Sequence, residues 1–391
     1  MPLTAIFVEK GFVKLSVKKT IDQSRRQFVL SGSVFVATGC SSKRNLVGLE
    51  PTRALSKAEI DERGHRIFIA TVREPSTVAT EFFSGRRANR LNFAAVDVVI
   101  PPNHKTGNIE RPRGSSPDPD KHFVITNPQI FDNDSKFVGT VENSVLALPK
   151  GERSSLLWIH GYNTNLTDAV LRFAQFLEDT GYSGVPILYS WASQARLGAY
   201  VYDINSALIA RDQLEEVPGL LKDSPVETID IVAHSMGNLV AMEAARGIAN
   251  RGLFNVSGKL RSVILASPDI DIDLFIAQLS AIPKDKRRFY VLTSENDQAL
   301  AVSSLIARNP RVGQLDATLI SELGLNVIDL SQVQDTTTVH HSKFADAPEV
   351  VRLIGDRILA GDKGAKVSGR AEAVVITASG TIAVVDEAIS N

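Results

Sequence analysis

From residue 154 onward, the short apolar runs "LLWI", "PILYSW", "IDIVAH", "SVILASP", "RFYVLTS" and "NVIDLS" follow one another with longer amphipathic stretches between them. Continuous apolar runs bounded by turn formers mark strands buried on both faces, and the intervening stretches predict the helices that cover those faces. The alternation predicts an α/β fold, a mostly parallel central sheet with helices on both sides. Helices are expected near residues 166–180, 200–221, 236–251 and 347–359.

Upstream, "HRIFIATVRE" (65–74) and "NFAAVDVVIPP" (92–102) are rich in β-branched residues and predict strands. The stretch 103–131, dense in proline, glycine and charge, predicts a long surface loop or flap rather than a linker. There is no internal repeat. Past residue 361, "EAVVITASGTIAVVDEA" is expected to form a small hairpin or a mobile tail, in either case outside the main pattern.

Charge narrows the function. The 391 residues hold 43 Lys and Arg against 44 Asp and Glu, a net charge of −1, so no basic excess attracts nucleic acid. The single cysteine, Cys40, rules out an internal disulfide or a cysteine metal cluster. No apolar run approaches the length of a permanent membrane span. At the N-terminus, Arg25 and Arg26 precede an apolar stretch, Phe28 to Thr38, that ends in Ala37-Thr38-Gly39-Cys40. This resembles a twin-arginine export signal closing on a lipobox, in which Cys40 is acylated. Ala37 stands where such boxes prefer leucine.

The chemistry centres on "TIDIVAHSMGNLVAME" (228–243), where a buried strand turns directly into a helix. Ala233-His234-Ser235-Met236-Gly237 departs from G-x-S-x-G only in its first residue. In such a nucleophile elbow the serine occupies a strained turn, so the residues two away must be small. The turn also aims the helix N-terminus at the reaction centre. A serine needs a base to take its proton. Of the 7 histidines, only His340 and His341 follow Ser235, as the chain order serine, acid, histidine requires. His341 is preferred and His340 is the alternative. His234 is expected to point elsewhere by strand alternation and to pack or hydrogen-bond beneath the elbow. Asp297, in "SENDQAL", is the preferred acid, with Asp269, in "SPDIDID", as its rival. Asp271 and Asp273 suit a helix start better than a cation site. The oxyanion donors are expected to be the main-chain N–H groups of Met236 and of Tyr162, in the loop His160-Gly161-Tyr162-Asn163.

With these motifs in place, the chain resembles a bacterial family of α/β-hydrolases known only as uncharacterised esterase/lipase-superfamily proteins. The resemblance runs from about His65 to Leu359. It rests on "ATVRE" (70–74), "PPNHKTGNIERP" (101–112), "IHGYNT" (159–164), "YSWAS" (189–193), "AHSMGN" (233–238), "SPDID" (267–271), "NDQAL" (296–300) and "HHSKF" (340–344). It implies the α/β-hydrolase fold with Ser235 as nucleophile. The family's H-S-aromatic-F pattern falls on His341-Ser342-Lys343-Phe344, which favours His341. Lys343 replaces an aromatic, Ala192 a proline and Ser267 an alanine; the first two departures put the pocket's shape in question.

The expected organisation is an export signal over 1–40, a tether over 41–60, an α/β-hydrolase domain over 61–361 and a tail over 362–391. The expected activity is cleavage of a small-molecule or lipid carboxylic ester through an acyl-enzyme, with neither cofactor nor metal. The expected place is the periplasmic side of a bacterial envelope, held to the membrane through Cys40. The rivals are an acyltransferase or peptidase on the same machinery, or an inactive envelope binding protein.

Overall fold

The apolar runs become strands in a computed structural model that describes residues 44–114, 116–333, 340–359, 373–376 and 382–385. Arg25, Arg26 and Cys40, and with them the whole of the expected export signal, lie outside the described residues. In chain order the strands are β1 (Gly64–Pro75), β2 (Phe83–Val99), β3 (Val124–Phe131), β4 (Ser154–Ile159), β5 (Val185–Ser190), β6 (Thr228–His234), β7 (Leu260–Ala266), β8 (Phe289–Thr293), β9 (Asn326–Asp329), β10 (Ala373–Ile376) and β11 (Ile382–Val385). The helices are α1 (Lys57–Arg63), α2 (Asp134–Leu146), α3 (Leu166–Thr180), α4 (Tyr200–Leu214), α5 (Glu216–Leu220), α6 (Gly237–Asn250), α7 (Ile272–Ser280), α8 (Gln298–Ala307), α9 (Ala317–Ser321), α10 (Lys343–Asp346) and α11 (Pro348–Leu353). Among the described residues, no helix is long and apolar enough to cross a membrane.

The strands form one 11-stranded sheet in the order β11-β10-β9-β8-β7-β6-β4-β5-β1-β2-β3. The block from β10 to β1 is parallel, and β2, β3 and β11 pair antiparallel at the two edges. From β4 the chain steps to β5 on one side and returns to β6 on the other. Such a reversal opens a crevice at the carboxyl ends of the strands.

Alternation along β4 sends neighbouring residues into the two halves of the core. Leu157 packs in the cluster with Leu214 and Met242, and Trp158 in the cluster with Phe173, Phe176 and Phe344. The Trp158 ring stacks on Phe173 at 5.3 Å. Truncating a buried ring of this kind to alanine costs about 3–5 kcal/mol. Helices cover both faces of the sheet, as the pattern predicts.

Helix α3 matches its expected span because both ends are written locally. The Asn165 side chain accepts the Asp168 N–H (2.7 Å), and Gly181 closes the helix in the left-handed conformation at φ 64°. The expected helix over 200–221 is instead two, α4 and α5, joined at Glu215 with Pro218 inside the second. The expected flap ends in β3. Two further expectations are corrected. Residues 44–60 are not a free tether: Leu46 and Val47 are buried, the Leu46 N–H donates to Thr167 Oγ1 (3.0 Å), and α1 starts at Lys57. The C-terminal segment does form a hairpin, but β10 also pairs in parallel with β9, so it extends the sheet instead of lying outside it.

Candidate active site

At the end of β6 the chain reverses through Ser235, which has φ 53°. A non-glycine residue held in the left-handed region costs about 1–3 kcal/mol and persists only where its surroundings enforce it. Here they do. The Ser235 N–H donates to the Ala266 carbonyl (3.0 Å), and Asn238 Nδ2 donates to the carbonyls of Ser235 (2.9 Å) and Ala266 (3.0 Å). The small neighbours are demanded by packing. A Cβ on Gly237 would collide with the His160 carbonyl oxygen, and one on Gly161 would sit 2.8 Å from Ser235 Cβ. The β4 loop and the elbow are therefore pressed together at the switch point, with the α6 N-terminus behind the serine.

The histidine comes from the other end of the chain. His341 Nδ1 donates to Asp297 Oδ2 (2.7 Å), and the Asp297 side chain is fully buried. Oδ1 of the same carboxylate accepts the Leu300 N–H (3.0 Å) and caps α8. Burial opposes a charge on His341, but the Asp297 hydrogen bond and charge prevail and raise its pKa above the ordinary imidazole value. His340 sits in the left-handed region at φ 56° and turns the chain into His341. Ser235 and His341 both line one cavity of about 470 Å³, together with Tyr162, Tyr200, Asp269 and Ile306. Among the described residues no hydrogen bond joins Ser235 Oγ to His341; bonds of this kind commonly tighten only around substrate.

Both expected oxyanion donors flank the serine. Met236 follows it at the N-cap of α6, and Tyr162 follows Gly161 on the facing loop. Among the described residues neither main-chain N–H is bonded to a protein acceptor. The loop's shape is imposed from below by the buried Arg73. Its guanidinium donates to the carbonyls of Thr164 (2.8 Å) and Ser193 (2.9 Å) and to Ser190 Oγ (2.8 Å). Burial lowers its pKa to about 10, opposed by the nearby Asp203 charge. Asp203 in turn accepts the Asn163 N–H (3.3 Å) and the Ser193 hydroxyl (2.5 Å). His160 stacks on Trp191 at 5.1 Å, and burial drives its pKa to about 3, so it is a neutral scaffold group.

Residues 142–357, more than half of the chain, match the model of the family described as "Alpha/beta hydrolase of unknown function (DUF900)". The chain belongs to this family. Among solved structures it is similar to fungal esterases of Rhizomucor miehei (12% identity over 76% of this chain and 83% of that one, TM-score 0.34). It is also similar to a gene product of Listeria innocua (14% identity, 51% and 91% covered, TM-score 0.33). Lipase B of Aspergillus fumigatus matches at 13% identity and TM-score 0.21 over 31% of this chain, which spans only 25% of that lipase. No curated protein matches in sequence. Likeness at these scores carries nothing about substrate.

Several positions in this alpha/beta hydrolase sit differently from expectation. His234 does not point away: its ring lies 4.8 Å from that of His341, it lines the cavity, and its Nε2–H donates to the His341 carbonyl (3.3 Å). Burial and the neighbouring His341 hold its pKa well below the usual range, so it packs against His341 as a neutral ring. Asp269 does not meet the histidine ring. Its carboxylate accepts from Tyr200 Oη (3.0 Å) and Ser303 Oγ (2.5 Å) and pairs with Arg311 (3.3 Å), forming one wall of the cavity. Its N–H also donates to the Ser235 carbonyl (3.3 Å). Asp271 caps α7 and accepts from Asn309 (2.8 Å), which accounts for the acidic pair without an ion. Lys343 is buried away from the cavity, donating to Ser294 Oγ (3.1 Å), Asn296 Oδ1 (2.7 Å) and the Leu330 carbonyl (2.8 Å). It supports the loop that carries Asp297 and does not shape the pocket. Arg73, Asp203 and Tyr200 were not singled out from sequence. Arg73 does stand inside "ATVRE", and a charged residue at the end of an apolar strand was the available signal.

Proposed function

We propose that this protein cleaves carboxylic esters through an acyl-enzyme on Ser235, with His341 as base and Asp297 as its orienting acid. Ser235 Oγ attacks the ester carbonyl carbon while its proton passes to His341 Nε2. The carbonyl oxygen becomes an oxyanion facing the N–H groups of Tyr162 and Met236. As the tetrahedral adduct collapses, the C–O bond to the alcohol breaks and His341 returns the proton to the departing oxygen. Water then repeats the attack on the acyl-serine, giving its proton to His341, and the acid leaves as Ser235 is reprotonated. Asp297 stabilises the imidazolium without itself taking the proton.

The single observation that carries this reading is the 2.7 Å bond from His341 Nδ1 to Asp297. It fixes the tautomer that leaves Nε2 available as a base, on a ring that shares its cavity with the strained Ser235. The apolar side chains of Leu300, Val302 and Ile306 in that cavity suit an acyl chain. The test is turnover of soluble short-chain aryl esters by purified wild type and Ser235→Ala. Loss of the nucleophile is expected to lower turnover about 10⁶-fold in a folded protein. Wild-type activity that survives in Ser235→Ala overturns the assignment.

A further inference from the structure

Helix α8 follows the acid directly and is built unlike a solvent-facing helix. Among the described helices of at least 10 residues it is the one with no charged side chain. It buries Leu300 and Ser303 and leaves Val302, Leu305 and Ile306 exposed, on one face by their spacing of three and four. Val302 and Ile306 line the cavity that holds Ser235 and His341. A second lip is formed by Leu197, which also lines the cavity, and by Val201 one turn later. These five side chains are 60–81% exposed, and they are five of the thirteen large aliphatics exposed among the described residues. Single exposed leucines need no explanation. Five gathered on two segments that frame one cavity do.

The second lip is held in this pose. Tyr162 Oη donates to the carbonyl of Arg196 (3.2 Å) and to that of Leu197, and the preceding Ala195 turns through φ 56°. Leu197 is therefore kept outward by Tyr162, which directly follows the Gly161 that packs against Ser235. The rim also carries positive charge. Arg196 precedes Leu197 and Arg308 follows α8; both are exposed, and among the described residues neither forms an ion pair. An apolar face edged by unpaired arginines matches a lipid boundary with anionic headgroups, where apolar burial and charge attraction add.

We propose that this rim seats on an anionic lipid surface and draws an acyl chain from it into the cavity, so that the substrates are amphiphilic lipid esters. The proposal rests on the serine-hydrolase reading of the site. The test uses the full chain carrying Cys40→Ser, so that no acyl anchor contributes, in flotation with vesicles of phosphatidylcholine with and without phosphatidylglycerol. Leu305 and Val201 do not line the cavity, so Leu305→Glu with Val201→Glu should keep turnover of a soluble short-chain ester. The same pair should lower vesicle-bound protein by about tenfold or more. Arg196→Glu with Arg308→Glu should reduce binding on anionic vesicles to the level on phosphatidylcholine alone. Ser235→Ala should float as the parent does; if it also retains ester turnover, the hydrolase reading fails, and the surface proposal with its substrate class fails too. Absence of binding by the parent, undiminished binding by Leu305→Glu with Val201→Glu, or a dimer that this pair converts to monomer would each overturn the proposal.

Discussion

Asp297 uses its two oxygens for different ends: Oδ1 caps the first turn of α8, and Oδ2 holds His341 at 2.7 Å. Fixed by the helix it caps, the carboxylate has little freedom to leave the imidazole, and its charge raises the His341 pKa. A base must be neutral to accept a proton, so kcat/KM is expected to fall on the acid side at a pH above the ordinary imidazole value. Asp297→Asn removes the charge and should move that limb to lower pH. It should also lower kcat by about 10⁴-fold, the scale seen when an orienting acid is lost. A pH profile of the folded variant checks both; an unmoved limb excludes Asp297 as the partner. The turn at Ser235 and the pairing of Asp297 with His341 were legible because a strained turn, a strand-end acid and a downstream histidine each leave a local mark. Arg73 left only the mark of a charge at the end of an apolar strand, because its partners, the Thr164 and Ser193 carbonyls and the Ser190 hydroxyl at the end of β5, are remote in sequence. Asp269 stands as a rival in the sequence for a related reason. It occupies a strand end as an acid should, but Tyr200, Ser303 and Arg311, all remote in sequence, hold its carboxylate.

Among the elements, the crossing of the β4 loop over the elbow is the feature on which the proposed catalysis depends. Gly161 stands there with Ser235 Cβ and His234 Nδ1 within 3.0 Å of any added Cβ. Gly161→Ala must push the loop and the elbow apart, moving the Tyr162 N–H from the oxyanion position. Losing one such donor costs about 10²–10³-fold in kcat. Steady-state kinetics should show that fall with KM little changed, and an unaffected kcat would contradict the placement of Tyr162. The elements themselves were legible where their ends are written in capping residues, as for α3 between Asn165 and Gly181. They were less so where a proline interrupts an otherwise helical pattern, as at Pro218. The role of β10 was hidden, because pairing in parallel with β9 is a long-range choice that the hairpin's own alternation does not encode.

Across the whole molecule, the loop "PPNHKTGNIERP" is tied to the segment bearing His341 through α3. His104 donates from Nδ1 to Glu110 (2.8 Å) and from Nε2 to Asp179 (2.9 Å), and Asp179 also accepts the Gly107 N–H (2.8 Å). One and two turns back along α3, Gln175 donates to the Ala345 carbonyl (2.8 Å) and Arg172 to Asp346 (2.5 Å). Burial opposes a charge on His104, yet its bonds to Asp179 and Glu110 raise the pKa from 6.5 to about 9. A raised pKa adds stability that is fully present below the unfolded value of 6.5 and is lost as pH rises through about 9. His104→Gln should therefore melt below wild type at about pH 6, with the gap narrowing by about pH 10. A gap independent of pH would show that His104 acts by packing alone. Sequence marked this loop as distinctive and gave no hint of its purpose, since its partners lie on α3.

In the proposed mechanism the strained serine at the end of β6 is a nucleophile activated by His341. Intact-mass measurement after exposure to a fluorophosphonate tests it most directly, because a phosphonate on serine requires an activated hydroxyl but no knowledge of the natural ester. Wild type is expected to gain one adduct, mapping to Ser235, and His341→Ala to gain it far more slowly. An unmodified wild-type protein, or an adduct that persists in folded Ser235→Ala, would contradict the account.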